Sequence, residues 1–121
     1  MFDKKLNEGK LNEMSFLDYL KWLQENIAHL SYSKGTSASY WEAREIIQNL
    51  IKRYMKEFGL SSVNFHNHEI GGLLRSTEIE LDDYSKYAKT DKAKAEVIAT
   101  FKSDIESDLT RLIYDCENKN V

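Results

Sequence analysis

The sequence predicts an all-α fold, a four- or five-helix bundle with a long C-terminal helix. Three observations predict it. The 121 residues contain no proline, the residue that most often breaks a helix. Apolar residues recur at spacings of three and four over long stretches, the period of one helix face. Ser or Thr precedes an acidic residue by three positions ahead of several of these stretches, a pattern that satisfies the open N–H groups of a first turn. The length is that of one domain, and 41% hydrophobic with 31% charged residues is the balance of a folded globular chain.

The opening MFDKKLNEGKLNE is polar and lacks the apolar run of a secretory leader; residues 1–14 are expected to form a loose N-terminal arm. No stretch approaches the roughly 18 apolar residues that cross a bilayer, so no membrane partner is expected. The lone Cys116 cannot close an internal disulfide. The location these features predict is cytoplasmic. Lys outnumbers Arg, and Asn and Ile are plentiful, as in chains encoded by AT-rich genomes of low-GC bacteria and their phages.

The first helix is read from SFLDYLKWLQENIAHL, where Phe16, Leu20, Leu23, Ile27 and Leu30 form one stripe. Ser15 stands as its N-cap and Asp18 near its positive end. SYSKGTSAS then reads as a loop, because Ser, Thr and Gly favour turns. Ser39 and Glu42 form a capping box for the next helix, whose stripe is Ala43, Ile46, Ile47, Leu50, Tyr54 and Phe58. Gly59 supplies the left-handed residue that ends it.

Residues 60–77 admit two readings. VNFHNHEI alternates like a strand and Gly71-Gly72 suits a hairpin turn. Pairing Ile70 with Leu73, however, puts His66 and His68 on the face of Ile79 and Leu81. A short helix ending near Arg75, with Val63, Ile70, Leu73 and Leu74 inward, fits as well, at a cost of about 1 kcal/mol per glycine. Thr77 and Glu80 form another capping-box pattern, and from there to Glu117 the chain favours helix with a joint at Lys89-Thr90-Asp91. The final stripe, Val97, Phe101, Ile105, Leu109, Leu112, Ile113 and Cys116, needs a long partner, for which the helix Tyr40 to Phe58 is the natural choice.

Glu42-x-x-Glu45 and Glu80-x-x-Asp83 are paired carboxylates on two helices, a set that can hold Mg²⁺ through oxygen ligands. The pair resembles the ExxE and ExxD motifs of the all-α nucleotide pyrophosphohydrolases, the MazG and dimeric dUTPase group. The resemblance covers these two short motifs and implies a Mg-dependent hydrolase acting on a nucleotide phosphate. The helix period points the other way, since Ala43, Ile46 and Ile47 already fill the inner face and turn Glu42 and Glu45 outward.

His66-Asn67-His68-Glu69 offers zinc-type ligands, yet imidazoles two apart do not share a helix face, and with His29 the only other histidine and Cys116 the only cysteine no closed zinc site is expected. HEIGGLLRSTEIELDDYSKY loosely resembles a helix-turn-helix, with Ile70, Gly71, Leu74, Leu81 and Tyr84 at buried positions. Its second helix would carry Glu78, Glu80, Asp82 and Asp83 against Lys86 alone, and phosphate repulsion makes DNA a poor partner. From Ser76 onward eleven acids face seven bases, whereas up to Phe58 eight acids face nine bases, so the C-terminal half suits a basic surface.

Trp22, Trp41, Tyr19, Tyr32 and Tyr40 fall at stripe edges or beside the first loop, where aromatics serve contacts or close a core. The function this predicts is a small non-enzymatic helical protein-interaction module, an inhibitor or regulator, without a cofactor. Its partner-binding surface is drawn around Tyr32, Tyr40 and Trp41, shared with His66 and His68, and the partner is another protein. The alternatives are the Mg-dependent pyrophosphohydrolase, with Glu42, Glu45, Glu80 and Asp83 as metal ligands, and a nucleotide-binding module without turnover. Self-association is compatible with all three, because the stripes are long.

Overall fold

The computed structural model describes residues 13–33, 38–61, 65 and 69–118. Ser15 caps helix α1 (Phe16–Asn26) by accepting a 3.1 Å hydrogen bond from the Asp18 N–H. The stripe predicted for this helix is buried to its end at Leu30, but the last turn tightens into a 3₁₀ segment, Ile27–His29. Residues 1–12 of the expected arm lie outside the described residues. Met14 is not loose: it packs on the core, and its carbonyl accepts from the Arg53 guanidinium.

Helix α2 (Ala38–Phe58) buries Ala43, Ile46, Ile47, Leu50 and Tyr54. Gly59 ends it at φ +62°, and the Leu60 N–H reaches back to the Met55 carbonyl at 2.9 Å, the six-to-one closure of a Schellman turn. Ser39 is not the cap of a capping box. It lies inside the first turn, buried, where its Oγ accepts from the Ser33 N–H at 2.7 Å and donates to the Ser31 carbonyl at 3.0 Å. Its hydroxyl fastens the incoming chain instead of the helix end.

Helix α3 (Glu69–Tyr87) runs unbroken through Gly71, Gly72, Arg75 and Thr77. Both readings of residues 60–77 are corrected in this part: Gly71-Gly72 makes no hairpin turn, and no helix stops at Arg75. Thr77 opens no new helix; its hydroxyl, within α3, contacts the Leu73 carbonyl at 3.2 Å and donates to Asp108 Oδ2 at 2.7 Å. Without a turn at this point the helix-turn-helix resemblance fails as well, and Tyr84, one of its buried positions, is exposed. Gly71 is required by close packing. A Cβ there would collide with the Phe65 carbonyl oxygen and press on the Phe65 ring at 3.0 and 3.1 Å.

The joint falls where expected. Thr90 caps helix α4 (Asp91–Glu117), accepting from the Ala93 N–H at 3.0 Å. At 27 residues α4 is about 40 Å long. It lies chiefly against α3 and α1 and only lightly against α2, while α2 packs mainly on α3, so the predicted pairing of α4 with the Tyr40–Phe58 helix is corrected. Ile98 is buried on α4 in preference to Val97. The described residues thus form an all-α bundle of four helices, and none of those helices is long and apolar enough to cross a membrane.

The bundle has two unlike ends. At one, Phe16, Tyr54, Phe58 and Phe65 form a ring cluster with centroids 4.8–6.2 Å apart, which seals it with aromatic area. Tyr19, expected at a stripe edge, is buried in the core and lies under the Arg53 guanidinium at 5.4 Å. At the other end α2 and α4 begin and α3 finishes, and the packing opens.

Candidate functional site

That open end holds a cleft of about 680 Å³, within the size range of small-molecule and side-chain pockets. The first turn of α2 contributes Ser39 and Tyr40, and the connection that follows the 3₁₀ segment contributes Tyr32. Asp82, Ser85 and Lys86 come from the last turns of α3. Ala88 in the joint, with Lys94, Val97 and Ile98 of α4, completes the wall. Topology explains the opening: three helix termini meet here, and the short joint between α3 and α4 carries small Ala88 where a larger side chain would fill the gap.

Two tyrosine hydroxyls are tied down. Tyr32 donates to Asp91 Oδ1 at 2.6 Å and so bridges the first connection to the start of α4. Tyr40 donates to Asp82 Oδ1 at 2.8 Å, and the same oxygen faces Arg44 Nε at 3.5 Å. Desolvation, then the Asp82 hydrogen bond and charge, raise the Tyr40 pKa, with Arg44 opposing. Tyr40 therefore stays protonated and remains the donor. Asp82, for its part, is a carboxylate answered by one cation and one hydroxyl.

Trp41 lies beside the cleft rather than within it. Its ring meets Tyr40 edge-on at 5.1 Å and has the Arg44 guanidinium 6.0 Å from its centroid, with 57% of the residue exposed. Tyr32, Tyr40 and Trp41 thus occupy one end of the bundle. His66 and His68, the other residues assigned to a partner surface, lie outside the described residues.

The four carboxylates of the pyrophosphohydrolase resemblance do not gather. Among the described residues no three His, Cys, Asp or Glu side chains are placed to hold one metal ion. Glu45 and Asp83 are exposed and Glu42 is half-buried. Glu80 associates with Asp104 and Asp108 of α4, and slight desolvation followed by the Asp104 hydrogen bond and charge raises its pKa. Glu42 and Glu45 on α2 and Glu80 and Asp83 on α3 are therefore not combined in one metal-holding group among the described residues.

Lys86, Lys94, Asp82 and Ser85 were not legible as a set. A single lysine on a helix carries no local signature, and these residues become neighbours only because α3 and α4 reverse direction at Ala88. Comparison with family models, curated proteins and solved structures gives no match.

Proposed function

We propose that this chain is a small non-enzymatic protein-interaction module that engages another protein through the end of the bundle formed by Tyr32, Tyr40 and Trp41. The observation that carries the reading is the Tyr40–Trp41–Arg44 cluster. Tryptophan, tyrosine and arginine are the residue types that dominate binding energy at protein interfaces. Here Tyr40 meets the Trp41 ring edge-on and the Arg44 guanidinium lies over that ring, with Trp41 largely open to solvent beside a cleft. The ties from Tyr40 to Asp82 and from Arg44 to Asp82 hold the cluster in place before contact, which lowers the ordering cost of association. A module of this kind acts by occupying its partner, as an inhibitor or regulator does.

The test is retention of a stoichiometric protein partner by a tagged copy in extract of the cells that encode it, compared with two variants. Trp41→Ala is expected to weaken retention at least thirtyfold, the scale of an interface hot spot. Tyr114→Ala, equally exposed on the last turns of α4, is expected to retain the partner as the parent does. Undiminished retention by Trp41→Ala overturns the reading.

A further inference from the structure

The cleft carries a chemistry beyond that of the Trp41 cluster, with which it shares Tyr40. Lys86 from α3 and Lys94 from α4 both line it, and neither has a hydrogen-bond or ion-pair partner among the described residues. The one carboxylate in the wall, Asp82, forms no ion pair with either lysine, its Oδ1 being engaged by Tyr40 and Arg44. Two lysines set against one carboxylate that already pairs with Arg44 leave the cleft with an excess of positive charge, which a bound anion offsets. Lysines are point charges on flexible stems and suit a tetrahedral phosphate, whereas a planar carboxylate is best met by the fork of an arginine.

The remainder of the wall describes what bears the phosphate. Val97, Ile98 and Ala88 give an apolar face, and the rings of Tyr32 and Tyr40 are fixed by their hydroxyl bonds. Asp82 Oδ2 and the Ser85 hydroxyl make no hydrogen bond among the described residues, and they suit the hydroxyls of a sugar. A lone phenyl ring would leave much of about 680 Å³ unfilled. We propose that the cleft between α2, α3 and α4 binds a nucleoside monophosphate, with Lys86 and Lys94 on the phosphate and the base against the Tyr and aliphatic wall. Binding needs no metal and forms no product.

Isothermal titration of the full chain with adenosine 5′-monophosphate in metal-free buffer tests this, with inorganic phosphate, adenosine and O-phosphotyrosine as separate arms. The nucleotide is expected to bind at least tenfold more tightly than any of the three. Lys86→Gln and Lys94→Gln, both at exposed positions that leave the core untouched, are each expected to weaken it about tenfold, the scale of a charge-assisted hydrogen bond. Inorganic phosphate or O-phosphotyrosine binding as tightly as the nucleotide overturns the assignment, and so does unaltered affinity in the Lys86→Gln/Lys94→Gln double variant. Neither lysine belongs to the Trp41 cluster, so the two readings fail separately: Trp41→Ala reports on the protein partner, the lysine variants on the nucleotide.

Discussion

The hydroxyl of Thr77 on α3 donates a 2.7 Å hydrogen bond to Asp108 Oδ2 on α4, and both residues are buried at the interface of the two helices. Desolvation pushes the Asp108 pKa up to about 6, with the Thr77 bond opposing and the charges of Asp104 and Glu80 adding to it. An ionised carboxyl is thus held against three unfavourable influences by one hydroxyl.

The pH dependence follows from linkage. Asp108 titrates near 3.8 as an unperturbed group and about 6 in the fold, so the folded chain binds more protons between those values. Stability therefore falls as pH rises through this window and stays lower above it. The size is about 2 kcal/mol, reduced from the full conversion of the shift because water still screens the group. Asp108→Asn keeps an acceptor for Thr77 and removes the charge. Urea unfolding at pH 4.5 and at pH 7.5 is the measurement, and the variant is expected to gain on the parent as pH rises. A constant difference at both pH values counts against the assignment.

Gly71→Ala is expected to destabilise the protein by about 1–3 kcal/mol, although alanine is the better helix former. The added Cβ collides with the Phe65 carbonyl oxygen, and backbone cannot step aside as a flexible side chain can. Chemical denaturation gives the sign directly. A stabilised variant would mean that Phe65 does not lie across the first turn of α3.

The errors of sequence reading cluster around this same turn. Gly71-Gly72 carries the local chemistry of a hairpin and Thr77-x-x-Glu80 that of a helix start, yet each serves a long-range contact, Phe65 in one case and Asp108 in the other. Local signals were reliable where the same residue meets local and tertiary needs, as at Ser15 and Gly59. At the open end, the aromatics Tyr32, Tyr40 and Trp41 stood out through their position beside a Ser- and Gly-rich loop. Lys86 and Lys94 did not, because their proximity arises from the reversal at Ala88, which no spacing rule encodes.

Arg53 joins α2 to the chain before α1, donating to the Met14 carbonyl while its guanidinium lies over the Tyr19 ring. Arg53→Lys keeps the charge and loses the planar fork, so it is not conservative here. A loss of about 1–2 kcal/mol is expected, from one charge-assisted hydrogen bond and one cation–π contact. Burial also pushes the Tyr19 pKa up to about 12, with Arg53 opposing, so its phenol should resist ionisation in alkaline spectrophotometric titration of the folded chain. Loss of stability in Arg53→Lys equal to that in Arg53→Ala would confirm that geometry, and not charge alone, makes the contact.

Ser39 offers a way to disturb the open end through the hydrogen bonds that hold the Tyr32 segment. Its buried hydroxyl holds Ser31 and Ser33, the residues on either side of Tyr32. Ser39→Ala deletes both bonds and is expected to cost about 1–2 kcal/mol. More informatively, it should free the segment that carries Tyr32 into the cleft. Amide hydrogen exchange at Ser33 is expected to accelerate at least tenfold, while amides in the middle of α2, such as Leu50, change only with global stability. Ser85→Ala lines the same cleft but breaks no hydrogen bond among the described residues, and it should leave exchange at Ser33 unchanged. If Ser39→Ala instead accelerates exchange uniformly, the serine contributes to global stability only, and the Tyr32–Asp91 bridge is strong enough to hold that segment by itself.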